Sequence, residues 1–126
     1  MGKFTFRKEE RLSKEKQIQE LFDKGSSFYL FPFKVLFLPQ TDPASPVHQV
    51  LISVSKRNFK RAVDRNLIKR RVREAYRLQH PQFLPQAPRL SVALIYTHKQ
   101  PLLSAELQGK MRQTLVKLGK MALSPS

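Results

Sequence analysis

The sequence predicts an α+β domain whose elements follow the order helix, three strands, helix, strand, helix. Three observations predict it. The chain has 126 residues, 40% of them hydrophobic, which suits one domain with a modest core. Apolar residues recur at helical spacing in three segments, whereas four other segments are short runs rich in β-branched and aromatic residues. Prolines concentrate between these segments and mark loops.

The N-terminal part of the chain is expected to be an arm followed by a short helix. Residues 1–11 hold four basic residues and two phenylalanines without a helical repeat, so we expect them to order only on binding. Ser13 is a typical helix N-cap, and Gly25 is a plausible terminator. The predicted helix therefore covers about 14–24, with three apolar residues at helical spacing: Ile18, Leu21 and Phe22.

Three strands are expected next. Residues 28–38 read FYLFPFKVLFL, a composition typical of strands. Pro32 cannot donate to a sheet ladder, so it should split this run into two strands or mark an edge. After a loop with three prolines, residues 47–55 alternate like a half-buried strand. We expect this strand to form a hairpin with the one before the loop.

A basic helix, a fourth strand and a last helix complete the predicted order. The basic helix should cover 62–79, and prolines at 81, 85 and 88 indicate an irregular crossover after it. Residues 90–97 are apolar enough for a central strand. Pro101 should open the last helix, which is expected to cover one sheet face with six apolar residues: Leu103, Leu107, Met111, Leu115, Leu118 and Ala122. The whole chain, 1–126, is then one domain with a tail at 123–126.

The charge balance points to a polyanionic partner. Lys and Arg number 24 against nine Asp and Glu, giving a net charge of +15. Nucleic acid and anionic membrane both fit that charge. No apolar run approaches the roughly 20 residues that cross a bilayer, and no signal peptide is recognisable, so we expect a cytoplasmic protein without a membrane partner. The absence of cysteine excludes disulfides, thiolate metal sites and cysteine nucleophiles.

The positive charge is concentrated in and just before the basic helix. Ten of the 22 residues from 56 to 77 are Lys or Arg, whereas the other 104 positions share fourteen. At 100° per residue the cations, Asn66 and Tyr76 fall on one side of this helix. The other side is apolar and is expected to face the sheet: Val63, Leu67, Ile68, Val72, Ala75 and Leu78.

A solvated helix face is the usual explanation of such a charge run. Here, however, only Asp64 and Glu74 are acidic, so the cations repel one another, and repulsion retained on one face indicates an anionic ligand. Asn66 could contact a base edge or a ribose, or could simply be exposed. Arg71 projects toward the apolar side, where we expect it to pair with Glu74.

The sequence offers no catalytic or metal-binding constellation. Its carboxylates are scattered, and no glycine-rich phosphate loop exists. The three histidines, at 48, 80 and 98, are best explained as surface or satisfied side chains. We therefore predict no catalytic residue, no metal ligand and no cofactor bound by the protein alone.

Three segments together resemble the signature of the bacterial ribonuclease P protein subunit. They are Ser53-Val54-Ser55-Lys56-Arg57, Ala62-Val63, and the run from Arg65 to Arg77, RNLIKRRVREAYR. The likeness extends to Arg11-Leu12, to Glu20-Leu21-Phe22 before Gly25, and to the last strand and helix. It therefore covers nearly the whole chain.

The resemblance implies a fold and a function. The fold is a four-stranded sheet with a left-handed β-α-β crossover through the basic helix, like domain 2 of ribosomal protein S5. The function is that of the protein subunit of an endoribonuclease that removes the 5′ leader from precursor tRNA. Catalysis then belongs to the ribonuclease P RNA, which holds most of the required Mg²⁺, and one protein binds each RNA.

The resemblance also implies two groups of site residues. Those expected to bind the RNA subunit are Lys56, Arg57, Lys60, Arg61, Arg65, Asn66, Lys69, Arg70, Arg73 and Arg77. Those expected to bind the leader, in a cleft between the first helix and the sheet, are Ile18, Phe22, Val35, Phe37, Ser53 and Asn66. Phe22 and Phe37 could instead belong to the core, and Ile18 stands where many family members have an aromatic residue. The alternative function is that of a ribosomal or general structural RNA-binding protein without a role in processing.

Overall fold

The computed structural model describes residues 15–40, 48–83 and 89–123. The arm predicted at 1–11, the proline loop after the second strand and nearly all of the tail at 123–126 lie outside these residues. The described elements are α1 (Glu15–Lys24), β1 (Ser26–Leu30), β2 (Phe33–Pro39), β3 (Gln49–Val54), α2 (Ala62–Phe83), β4 (Leu90–Tyr96) and α3 (Ser104–Leu123). Their order confirms the predicted fold class.

The four strands form one sheet in the order β1-β2-β4-β3. Pro32 lies between β1 and β2, as predicted, and these strands form an antiparallel hairpin. β4 is antiparallel to β2 and parallel to β3, so the chain crosses from β3 to β4 through α2. The predicted hairpin between the second and third strands is wrong, because β4 lies between them. β4 is buried along almost its whole length and lies between two other strands, which confirms the prediction of a central strand.

The sheet separates two apolar clusters. The larger cluster lies between the sheet and the pair of helices α2 and α3. The smaller one lies between the opposite face of the sheet and α1, and is centred on Leu21, Leu36 and Ala93. Because neighbouring strand residues point to opposite faces, β2, β3 and β4 each contribute to both clusters. The molecule therefore has three layers, with α1 alone on one side.

Two helix ends differ from the prediction. α2 continues through Pro81 to Phe83, because a proline in the last turn removes only one backbone hydrogen bond. α3 begins at Ser104 rather than at Pro101. The preceding segment is held in another conformation, since the Tyr96 hydroxyl donates to Gln100 O at 2.7 Å and accepts from the Leu102 N–H at 3.0 Å. Leu103 consequently lies outside the helix and is exposed.

Candidate nucleic-acid interface

The amphipathic pattern of α2 places its cations on one side of the helix. Its buried side chains recur three and four residues apart and contact the sheet and α3: Ile68, Val72, Ala75 and Tyr76. The side chains about half a turn away are exposed or half-buried: Asn66, Lys69, Arg70, Arg73 and Arg77. We call these five residues the cationic face of α2. The structure thus brings together on one helix face half of the ten residues that the sequence assigned to the RNA subunit.

Three predicted positions on α2 are wrong. Tyr76 does not lie among the exposed cations but is fully buried, with its ring stacked on that of His80 at a centroid distance of 4.6 Å. Val63 and Leu78 do not face the sheet and are largely exposed. The sheet and α3 cover an arc of α2 that includes Tyr76. Leu78 lies at the other margin of the apolar stripe, and Val63, seven residues before Arg70, lies on the same exposed side as Arg70.

The two acidic residues of α2 neutralise little of its positive charge. Glu74 pairs with Arg77, and the Arg61 side chain approaches Asp64 at 4.0 Å. The predicted pairing of Arg71 with Glu74 is therefore wrong. Arg71 instead donates from Nη1 to Leu102 O at 2.8 Å, which ties α2 to the start of α3. Arg71 is a structural residue, as expected, but with a different partner.

The loop between β3 and α2 carries four further cations on a fixed backbone. Phe59 is buried in the larger cluster, and its N–H donates to Ser55 O at 3.1 Å. Asn58 Nδ2 donates to Thr97 O at 3.3 Å and fastens the loop to the end of β4. The cations around this anchor are exposed: Lys56, Arg57, Lys60 and Arg61. They extend the cationic face of α2 toward the end of the sheet.

Arg65 differs from the other predicted RNA-binding cations. Its Nη1 donates to Phe59 O at 2.8 Å and to Lys60 O at 2.9 Å, so the guanidinium is directed back at the loop. The carbonyls that it satisfies hold the backbone of Lys60 and Arg61 in place. Arg65 therefore positions neighbouring cations as well as contributing its own charge.

The groove between α1 and the sheet contains only part of the predicted leader site. Ile18 packs against the smaller cluster. The Phe22 side chain is 48% exposed, which excludes the alternative that Phe22 belongs to the core. Val35 and Phe37 do not line this groove, because both point to the opposite face of β2 and are buried under α3 and α2. The core alternative for Phe37 is the correct one.

A row of side chains next to α1 was missed by the sequence analysis. Cross-strand pairing links Tyr29 to Lys34, Lys34 to Ile95, and Ile95 to Ser53, which places all four on the α1 face. Tyr29 is 58% exposed, and Lys34 is exposed as well. Of the predicted leader residues in the sheet, only Ser53 belongs to this row. The sequence signal for this row was Lys34, the one charged residue of β2. A charged side chain in a strand indicates the face that is open to solvent.

The histidines have structural surroundings. His48 is buried and its Nδ1 accepts from the Leu90 N–H at 3.0 Å. Burial, together with the nearby His48, lowers the pKa of His80 to about 4. His98 packs edge-on against Phe31 at 4.9 Å. Within residues 15–40, 48–83 and 89–123, no three potential metal-ligating side chains come together.

The fold and this site define a class: a small α+β protein with one strongly cationic helix face and a partly apolar, partly exposed surface beside α1. The family model for Ribonuclease P matches residues 6–120, and the chain belongs to that family. Within the described part of the chain, no helix is long and apolar enough to span a membrane.

Curated relatives and solved structures agree with this family. The chain is 40% identical over 75 residues to the ribonuclease P protein component of Porphyromonas gingivalis, covering 60% of this chain and 55% of the relative. It is 43% identical over 81 residues to that of Chlorobium phaeobacteroides, covering 62% and 56%. The matched segment thus spans little more than half of these relatives.

Two solved structures share the fold. The Staphylococcus aureus RNase P protein matches with a TM-score of 0.72 at 24% identity, covering 90% of this chain and 97% of that one. The protein from Thermotoga maritima gives a TM-score of 0.71 at 23% identity, covering 86% and 96%.

Proposed function

We propose that this chain is the protein subunit of ribonuclease P, which removes the 5′ leader from precursor tRNA in the cytoplasm. The observation that supports the proposal most strongly is the one-sided distribution of charge on α2. Asn66, Lys69 and Arg70 face away from the core beside four loop cations, within a family whose relatives are named ribonuclease P protein components. Phosphates are the ligands that such a face attracts.

The cationic face of α2 and the β3–α2 loop are proposed to bind ribonuclease P RNA. Lys69, Arg70 and Arg73 would contact backbone phosphates, and Asn66 is exposed and can donate and accept at a base edge or a ribose. Lys56, Arg57, Lys60 and Arg61 would extend the contact, with Arg65 holding their loop. One protein is proposed to bind each RNA.

The groove beside α1 is proposed to bind the single-stranded leader. Phe22 is exposed at its rim, and aromatic side chains stack on bases without reading sequence, at about 1 to 3 kcal/mol per base. Ile18 would add apolar contact, and Ser53 lies on the same face of the sheet as α1. Lys34 and Tyr29 add a cation and a second aromatic ring on that face. Val35 and Phe37 lie on the opposite face of the sheet and cannot take part.

Catalysis is assigned to the RNA. Mg²⁺, which the holoenzyme requires, would be held mainly by RNA, since the side chains of the described residues offer no group of three potential ligands. The chain's own residues would bind and orient ribonuclease P RNA and the precursor tRNA leader. Their positive charge would screen the phosphates of both. Its contribution is positioning, which raises the rate by holding substrate and catalytic RNA together.

Reconstitution tests this proposal. The purified chain added to ribonuclease P RNA should accelerate cleavage of precursor tRNA at a low Mg²⁺ concentration, where the RNA alone is slow. The K69Q/R70Q variant should lose much of this stimulation, whereas K16Q/K24Q, which removes the same charge from α1, should retain it. A chain that binds the RNA without any stimulation would instead support the alternative, a structural RNA-binding protein without a role in processing.

A further inference from the structure

A second positively charged surface lies on the side of the molecule away from the cationic face of α2. α3 carries three exposed cations, Arg112, Lys117 and Lys120, and a half-buried one, Lys110. Its only acidic residue is Glu106. The charged residues of α3 are therefore almost all positive, as on α2, although no residue of α3 belongs to the site described above.

Two of these lysines are held in fixed positions over aromatic rings. Lys117 Nζ lies 5.0 Å from the ring centroid of Phe28 in β1, and Lys110 Nζ lies 5.7 Å from that of Phe31. An aromatic face attracts a cation but leaves its net charge unchanged, so both ammonium groups keep their attraction for anions. We call Phe28, Phe31, Lys110, Lys117 and Lys120 the α3–β1 surface.

Most acidic residues of the described segments lie away from the α3–β1 surface. Of the six in the described segments, Glu15, Glu20 and Asp23 are on α1, across the sheet, and Asp64 and Glu74 are on α2. Only Glu106 remains near the α3–β1 surface. In these segments no ion pair forms at Lys110, Lys117 or Lys120. A face made only for solubility usually mixes both signs, and this one does not.

The packing of the helices separates the two cationic surfaces. α2 turns Arg71 and Gln79 toward α3, where they donate to Leu102 O and to Gln108 O. Arg70 and Arg73 lie roughly half a turn away from that contact. Lys117 reaches β1, which is one edge of the sheet, whereas α2 packs over β3, the other edge. A single rigid ligand lying on the cationic face of α2 would not reach the α3–β1 surface.

We infer that the α3–β1 surface binds the phosphate backbone of a second RNA segment, so that one chain bridges two segments. The identification of the polyanion as RNA rests on the proposed function. Phosphate rather than base contact follows from the aromatic rings, whose faces carry lysine ammonium groups and are not open for stacking. Lys110 and Lys117 are seven residues apart, about 10 Å along the helix, which allows contacts to separate phosphates of one strand.

Stoichiometry with a short blunt RNA duplex tests the inference on the full chain. Analytical ultracentrifugation should find two duplexes bound to the wild-type chain and one bound to K117Q/K120Q. K69Q/R70Q should also bind one, through the α3–β1 surface. The control K16Q/K24Q removes the same charge from exposed positions of α1 and should still bind two.

A second measurement uses ribonuclease P RNA and keeps the two proposals distinguishable. The slope of log affinity against log salt should fall by about two units for K117Q/K120Q and by much less for K16Q/K24Q. A wild-type chain that binds one duplex, or a K117Q/K120Q variant that matches the control in both assays, would overturn the inference and leave the proposed function intact. If the proposed function is wrong, K69Q/R70Q should instead bind ribonuclease P RNA as tightly as the wild-type chain does.

Discussion

Arg65 illustrates how a charged residue in a binding face can serve the fold. Its guanidinium bonds to Phe59 O and Lys60 O, and the backbone that it holds presents Lys60 and Arg61. Arg70, five residues further along α2, is exposed and has no such task. Two arginines that the sequence assigns to the same site therefore differ in what their removal should change.

Arg65→Ala should destabilise the protein by about 1 to 3 kcal/mol, because two hydrogen bonds from a charged donor, one to a half-buried carbonyl and one to an exposed carbonyl, are lost. Arg70→Ala should leave the free energy of unfolding within about 0.5 kcal/mol of wild type and should mainly lower RNA affinity. Urea denaturation and RNA titration of both variants check this. Equal stabilities for the two variants would contradict the structural role of Arg65.

Two phenylalanines give a second pair of contrasting residues. Phe37 is 6% exposed inside the larger cluster, so Phe37→Ala should destabilise the fold by about 3 to 5 kcal/mol. Phe22→Ala should change stability little and should reduce the preference for precursor over mature tRNA, since a stacking ring is lost. Denaturation and binding to both RNAs distinguish the variants. A folded Phe37→Ala variant with only a binding defect would restore the original assignment of Phe37 to the leader site.

At the scale of the elements, the cationic face of α2 could be predicted, although Val63, Tyr76 and Leu78 were misplaced, and the faces of β2 could not. The 3.6-residue repeat of α2 separates cations from apolar residues, so its orientation follows from the sequence. In β2, Val35, Leu36 and Phe37 are all apolar because both faces of the strand are covered, and alternation therefore gives no face. The resemblance to a known family predicted a cleft between α1 and the sheet. Only the cross-strand pairing shows which strand residues face α1.

The last turns of α2 carry a pH-sensitive contact. The His80 ring stacks on Tyr76, and its pKa is lowered from 6.5 to about 4 by burial and by His48. The unfolded chain therefore binds a proton more readily than the folded one between these two values. Stability that is present above pH 6.5 should be lost as the pH falls toward 4.

A shift of this size would correspond to roughly 3 kcal/mol in a fully buried group, and solvent screening of the half-buried His80 reduces the expected loss to about 1 to 2 kcal/mol. Urea denaturation of wild type and His80→Gln at pH 7 and pH 4.5 isolates this contribution from that of the carboxylates. The variant should lose less stability on acidification. Identical losses would show that His80 does not couple folding to pH.

For the whole molecule, the separation of charge matters more than its total. The acidic residues of α1 lie across the sheet from α2 and α3, whereas α2, α3 and the β3–α2 loop together carry +11 of the +15 net charge. Composition predicts a polyanionic partner but does not separate one cationic surface from two, because that depends on which edge of the sheet each helix covers. Topology supplies this information, since β1 and β3 are the opposite edges.

Binding to ribonuclease P RNA should therefore depend steeply on salt. If six or more phosphates are contacted, log affinity should fall by about five units for each unit of log salt, because each contact releases condensed counterions. Titrations of the full chain at several salt concentrations measure this slope. K69Q/R70Q should reduce it by about two units, whereas K16Q/K24Q should leave it nearly unchanged, since the α1 lysines lie beside carboxylates and away from both cationic surfaces. A wild-type slope near one would mean that the concentrated charge of α2 is not used for phosphate contact.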